Sequence, residues 1–235
     1  MTHPEPVGFP IRFLATLGTA PQVVTLALDL LLESGFDIQD VVVLHTINPE
    51  TARAVEVIRD EFEAGIYGPI KVRFAAIEQG GKPFADMDQI SAFQRLLQLF
   101  HDEIRTAHAS RHAVHVCVAG GRKVMALAAM VVAQLLFDSS DVLWHLFSDL
   151  PDVADSRLHA TEELRSRLLA IPVLRFGMAT DILAAFPNLA NVQSLIELQE
   201  KAMRGDLMRR RREFMQRYLT RAEREVAELV CQGKD

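Results

Sequence analysis

Ile11-Arg12-Phe13-Leu14-Ala15-Thr16-Leu17-Gly18-Thr19-Ala20-Pro21-Gln22-Val23-Val24-Thr25 reads as a strand, a glycine-bearing turn and the start of a helix. Residues 11–16 form a short apolar run that stops at Gly18. Pro21 stands where a helix accepts proline, at its first position, because the missing N–H has no partner to lose there. The helix is expected from Pro21 to about Ser34, with Gly35 as its C-cap.

The unit then repeats. Residues 41–44, all Val and Leu, have no polar alternation, as in a parallel strand covered on both faces. Pro49 opens a second helix running to about Ala64, and residues 70–77 form a third strand. A loop over 79–83 leads to a helix over about 87–109. Residues 114–118 restart the pattern as a fourth strand, followed by Ala119-Gly120-Gly121-Arg122-Lys123 and an apolar helix over about 122–137. A fifth strand is expected at 142–147, a short helix at 161–168, and an edge strand at 171–176, demoted by Pro172. Strand and helix alternating at this spacing predict an α/β fold with a Rossmann-like doubly wound, mainly parallel sheet. The expected division is a domain over 1–180 and a C-terminal helical segment over 187–235.

Composition limits the function. The 235 residues are 49% hydrophobic, ample for one core, and the net charge of −6 gives no global attraction to nucleic acid or anionic membrane. Any anion site must therefore be local. Cys117 and Cys231 have neither metal-ligand spacing nor a disulfide framework, which suits a reducing cytoplasm. The start of the chain lacks a signal-peptide pattern, and the apolar stretch 124–137 is shorter than the ~20 residues that span a bilayer, so no membrane role is expected.

Ligands of doubly wound sheets bind beyond the carboxyl ends of the strands, where strand order reverses. In the order 3-2-1-4-5-6 the reversal falls between the first and fourth strands, those followed by the two glycine-bearing loops. Each loop ends at a helix N-terminus, where free N–H groups and the positive end of the dipole favour phosphate. Thr19 adds a hydroxyl, and Arg122 and Lys123 add positive charge. Glycine in one such loop is also what any tight turn needs; the pair at the switch point is what favours a ligand. His45, with Thr46 at the end of the second strand, either lines this crevice or is a satisfied strand-end residue. His115 and His145 lie inside apolar strands and read as satisfied core or edge residues. The chain has no P-loop, no G-x-G-x-x-G fingerprint, no G-x-S-x-G elbow and no H-E-x-x-H motif.

Residues 13–25, 41–46 and 119–125 together resemble CARF domains, the CRISPR-associated Rossmann-like sensors of cyclic oligoadenylate, and most closely the NE0113-type proteins, over roughly residues 10–180. The resemblance implies a homodimer that binds a cyclic tetra- or hexaadenylate across its two-fold axis. Some relatives also cleave the ring without metal or cofactor: a ribose 2′-hydroxyl attacks its own 3′-phosphate and leaves a 2′,3′-cyclic phosphate. By this resemblance Thr19 and Lys123 would hold the scissile phosphate. Gly18, Ala20, Pro21, Gln22, His45, Thr46, Gly120, Gly121 and Arg122 would complete the ligand site. Ala20 stands where many relatives carry serine or arginine. The other readings are a binding-only sensor, a regulator acting on DNA through the C-terminal helices, or a nucleotide- or sugar-phosphate enzyme on an unrelated Rossmann-like frame.

Helices are expected there at 188–205, 206–218 and 220–231. The run Arg209-Arg210-Arg211-Arg212 is a solvated face, a dimer contact or a nucleic-acid patch. Thr220 with Glu223 makes a capping box. The stretch from Leu219 resembles the opening helix of a LuxR-type helix-turn-helix, or is an ordinary capped helix.

Overall fold

The structure, a computed structural model, describes residues 8–148, 158–159 and 166–176 and isolated positions between 197 and 227. The chain divides into two compact units, Met1–Gly177 and Met178–Asp235. In chain order the first unit contains β1 (Ile11–Leu17), α1 (Gln22–Glu33), β2 (Ile38–His45), α2 (Pro49–Glu63), β3 (Lys71–Ala76), β4 (Glu78–Gln79), β5 (Lys82–Pro83) and α3 (Ile90–Ala109). It continues with β6 (Ala113–Cys117), α4 (Lys123–Leu136), β7 (Val142–Ser148) and β8 (Ser166–Ile171).

Six strands form one sheet in the order β3-β2-β1-β6-β7-β8. Every pair in it is parallel except β7 with β8. The order reverses between β1 and β6, as the sequence pattern predicts. Both faces are covered, which is why the central strands are apolar throughout. One face packs Phe13, Leu17, Val41, Val43 and Trp144 against Leu26, Leu31, Val55 and Ile58 of α1 and α2. The other packs Leu14, Val42, Leu44, Val114 and Val116 against Leu96, Phe100, Ile104, Met125 and Ala129 of α3 and α4. Each large apolar side chain so buried stabilises the fold by about 1.5–3 kcal/mol before chain entropy is set against it.

Polar groups inside this frame are paired in specific ways. Arg12 on β1 donates to Asp40 on β2 and to Glu103 on α3, and Glu103 also accepts from Arg73 on β3. His159 sits between Asp29 of α1 and Glu61 of α2, at 2.9 and 2.6 Å, and the Tyr67 hydroxyl donates to the same Asp29. His115 departs from the expectation of a satisfied core histidine. It is 1% exposed between Phe36 and Trp144, but its Nδ1 has no hydrogen-bond partner among the described residues. Burial accordingly pushes its pKa down to about 3.

Three local expectations are corrected. Residues 166–168, expected to end a helix, open β8 instead, antiparallel to β7 with Trp144 opposite Ala170. The edge strand expected at 171–176 has therefore already ended at Ile171, where Pro172 removes the next donor. The loop over 79–83 holds a β4–β5 hairpin turned by Gly80 and Gly81, with φ of 58° and 74°, the pair of positive angles of a type I′ turn. The rest of the helix expected at 161–168, the C-terminal helices apart from isolated helical positions, and the run Arg209–Arg212 lie outside the described residues. The Thr220–Glu223 capping box is formed: the Thr220 N–H and hydroxyl donate to Glu223 Oε2 at 2.8 and 2.7 Å. The Glu223 N–H returns to Thr220 Oγ1 at 3.4 Å.

Candidate functional site

The β1–α1 and β6–α4 loops touch through their backbones. Thr16, fully buried at the end of β1, donates its hydroxyl to the Gly120 carbonyl at 2.6 Å. A Cβ on Gly120 would lie 2.1 Å from the Thr16 carbonyl oxygen, and one on Gly18 would lie 3.0 Å from the Gly121 nitrogen. Gly121 has a φ of 79°, which a side chain rarely tolerates. The glycines thus let two strand-to-helix turns close on each other at the switch point.

A cavity of about 150 Å³ opens beside this contact. Five residues singled out in the sequence line it: Gly18, Thr19, Thr46, Gly121 and Arg122. Leu17 and Met125, which belong to the two loop stretches, also line it, and so do three residues that the sequence did not point to: Asn48, Glu50 and Thr51. A neighbouring hollow is shared by Thr19, Pro21 and Glu50 with Arg53, Ala54 and Val57. Asn48 and Glu50 had a readable signal, because Asn-Pro before a helical run is a helix start and must fall at the carboxyl end of β2. Asn48 caps α2 by accepting the Thr51 N–H at 2.9 Å and donates to Thr46 Oγ1 and the Ala85 carbonyl.

Among the described residues, neither α1 nor α4 has a side-chain cap. The Val23 and Val24 N–H groups of α1 donate to the Ala20 and Pro21 carbonyls and the Met125 N–H of α4 to the Arg122 carbonyl, so an anion at either N-terminus would be met by the helix dipole and by the N–H groups that precede these. Lys123, the first residue of α4, is exposed but is not one of the cavity-lining residues; nor are Ala20, Gln22 and Gly120. Gln22 and Gly120 are buried. His45 is 9% exposed, stacks edge-on to Phe74, and donates Nδ1–H to the Thr46 carbonyl at 2.9 Å. Burial lowers its pKa, with the Arg59 charge acting in the same direction and the Thr46 hydrogen bond opposing. The imidazole packs against Phe74 of β3, and His45 is not among the residues lining the cavity.

Charge in the cleft is mixed. The Arg122 guanidinium makes a bidentate pair with Asp86, and Glu50 contributes a carboxylate to the lining. The Asp86 carboxyl is held below its ordinary range by the Arg122 hydrogen bonds and the Met87 N–H. The one described group of side chains arranged for a cation, His108 with Asp138 and Asp141, is not part of this cleft. Asp141 there is committed to the backbone N–H groups of Val114 and Asp138.

The fold is that of a Rossmann-like domain with a cleft at the switch point of its sheet. The model of the CRISPR-associated protein NE0113 family matches residues 20–220, and the chain belongs to that family. Among solved structures the fold is similar to a type III CRISPR defence DNA nuclease activated by cyclic oligoadenylate, at 17% identity and a TM-score of 0.44. That likeness covers 85% of this chain and 31% of the nuclease, so the chain spans less than a third of its length. No curated protein matches the sequence. Among the described residues no helix is long and apolar enough to cross a membrane.

Proposed function

We propose that this CRISPR-associated protein binds a cyclic oligoadenylate as a homodimer and cleaves it as a metal-independent ring nuclease. The observation that carries the reading is the pair of uncapped helix N-termini at α1 and α4, brought together by backbone contact between Thr16–Gly18 and Gly120–Gly121. Such a pair of N-termini suits successive phosphodiesters of a small ring. Thr19 and Lys123 hold the scissile phosphate. The ribose 2′-oxygen attacks phosphorus, the 5′-oxygen leaves and takes up a proton, and the products carry a 2′,3′-cyclic phosphate and a 5′-hydroxyl. Orientation of the 2′-hydroxyl and charge stabilisation by Lys123 and the N–H groups supply the acceleration.

The dimer reading is supported by α4, whose outer face exposes Leu127, Val131 and Leu135 at 63%, 42% and 59%. Their i, i+4, i+8 spacing makes one apolar stripe on the helix that begins at Arg122 and Lys123. The division into a ligand-binding domain over 1–180 and a helical segment over 187–235 belongs to the same proposal.

The test is incubation of cyclic tetra- and hexaadenylate with the protein in EDTA, with products identified by mass. Linear species ending in 2′,3′-cyclic phosphate are expected, and Lys123→Ala or Thr19→Ala should slow their formation by about a hundredfold or more. A second reading, a sensor that binds without cutting, is favoured by the burial of His45, which takes the histidine nearest the loops out of the role of base. Intact ring after long incubation with an excess of protein that binds it decides for the sensor. Ligand-dependent DNA retention in a gel shift would extend that reading to a regulator.

A further inference from the structure

Arg122 reaches the cleft with two of its guanidinium nitrogens already engaged. Its Nε donates to Asp86 Oδ1 at 2.7 Å and its Nη2 to Asp86 Oδ2, the two-pronged geometry that a phosphate also takes from arginine. Asp86 is fixed from behind. It ends the segment that begins with the β4–β5 hairpin, and that segment is tied down by backbone bonds. The Ile77 N–H donates to the His45 carbonyl, the Phe84 N–H to Ile77, and the Ile47 N–H to Phe84. Asn48 donates to the Ala85 carbonyl, and Asp86 Oδ1 also accepts the Met87 N–H. Yet the pair itself is open to solvent, with Arg122 68% and Asp86 41% exposed.

We infer that Asp86 is a tethered competitor for the ligand's phosphate on Arg122, and that it sets which anions the cleft accepts. This rests on the reading of the cleft as a phosphodiester site. A carboxylate held by its own chain competes at an effective concentration of about millimolar or more. A lone phosphate must displace it with a single contact, and Glu50 in the lining repels that phosphate as well. A ring offering several phosphodiesters meets the α1 and α4 N-termini, Thr19 and Lys123 at once. One of its phosphates takes Arg122 from Asp86 while the others hold. Asp86 therefore selects polyphosphodiester rings over free phosphate and mononucleotides, and is a specificity-determining residue that need not touch the ligand.

The experiment is calorimetric titration of the full chain with cyclic tetraadenylate, cyclic hexaadenylate and inorganic phosphate. The proteins are wild type, Asp86→Asn, Asp86→Ala, Arg122→Gln and the Asp86→Asn/Arg122→Gln double variant. Both Asp86 variants should bind a ring about three- to tenfold tighter, the scale of removing one exposed competing pair. They should also acquire phosphate binding that the wild type lacks. On the Arg122→Gln background, Asp86→Asn should change nothing. Equal or weaker ring binding by both Asp86 variants overturns the inference. So does the same gain without Arg122, which would be a general charge effect. If no variant binds a ring, the proposed function falls and the phosphate titration decides for Asp86 alone: binding by Asp86→Asn but not wild type sustains the competition, and no difference overturns it.

Discussion

Gly120 carries no side chain because the Thr16 carbonyl oxygen occupies the place where one would be. That single contact turns two ordinary strand-to-helix turns into one site. The glycines were legible in the sequence; what they make room for was not, because Thr16 and Gly120 are 104 residues apart. Separation in sequence also hid Asp86, which pairs with Arg122 across 36 residues from a loop with no motif of its own. His115 shows the converse. Its place in an apolar strand was legible, but whether a neighbour would satisfy its ring depended on packing by Phe36 and Trp144. With its pKa at about 3 against an ordinary value near 6.5, His115 stays neutral in the fold while the unfolded chain takes up a proton. The unfolded state then binds more protons, so its contribution is complete above about pH 6.5 and lost as pH falls towards 3. The slope is about 1.4 kcal/mol per pH unit. Denaturant unfolding at pH 7, 6, 5 and 4 should show it, and His115→Leu should remove that part of the slope. Parallel curves for variant and wild type would refute the assignment.

At the level of elements, start and stop signals were the dependable ones. Pro21, Gly35, Pro49 and Gly65 bracket α1 and α2 as chain chemistry requires. The helix expected to end at 168 failed there, because residues 166–171 are short, mixed in character and shaped by pairing to β7. An edge strand draws its identity from its neighbour, not from its own propensity. The β4–β5 hairpin was read as a loop because two-residue strands have no period to detect. Asn48 joins this hairpin segment to the site: it caps α2 and reaches the Ala85 carbonyl. Asn48→Ala should lower stability by about 1–2 kcal/mol, a shift of about 2–8 °C in melting temperature. It should also weaken ring binding, since Thr46 and Glu50 flank the cap. Asn48→Asp keeps the cap but loses the amide donor. It should restore most of the stability and not the affinity, measured by calorimetry on both variants.

For the whole molecule, alternation of strand and helix with right-handed crossovers allows more than one doubly wound order; the sheet adopts the common 3-2-1-4-5-6 arrangement, which puts the switch point between β1 and β6. Exposure was not readable. Helix α4 is apolar nearly all round, and only its packing tells Met125, Ala129 and Val132, which are buried, from Leu127, Val131 and Leu135, which are not. If that stripe joins two copies, Leu127→Glu with Val131→Glu should convert a dimer to a monomer in light scattering. The circular dichroism should be unchanged, and ring affinity should fall about a hundredfold or more through loss of the second half-site. A wild-type chain that stays monomeric with and without ligand would contradict the dimer. The sequence by itself determined the α/β class, the element boundaries set by glycine and proline, and the edge of the sheet that carries both glycine loops. These depend on local backbone chemistry and on periodicity. Only the tertiary structure decided that the two glycine loops touch, that His45 is buried against Phe74, and that Arg122 is already paired. Those are contacts between residues distant in the chain, and no local pattern encodes them.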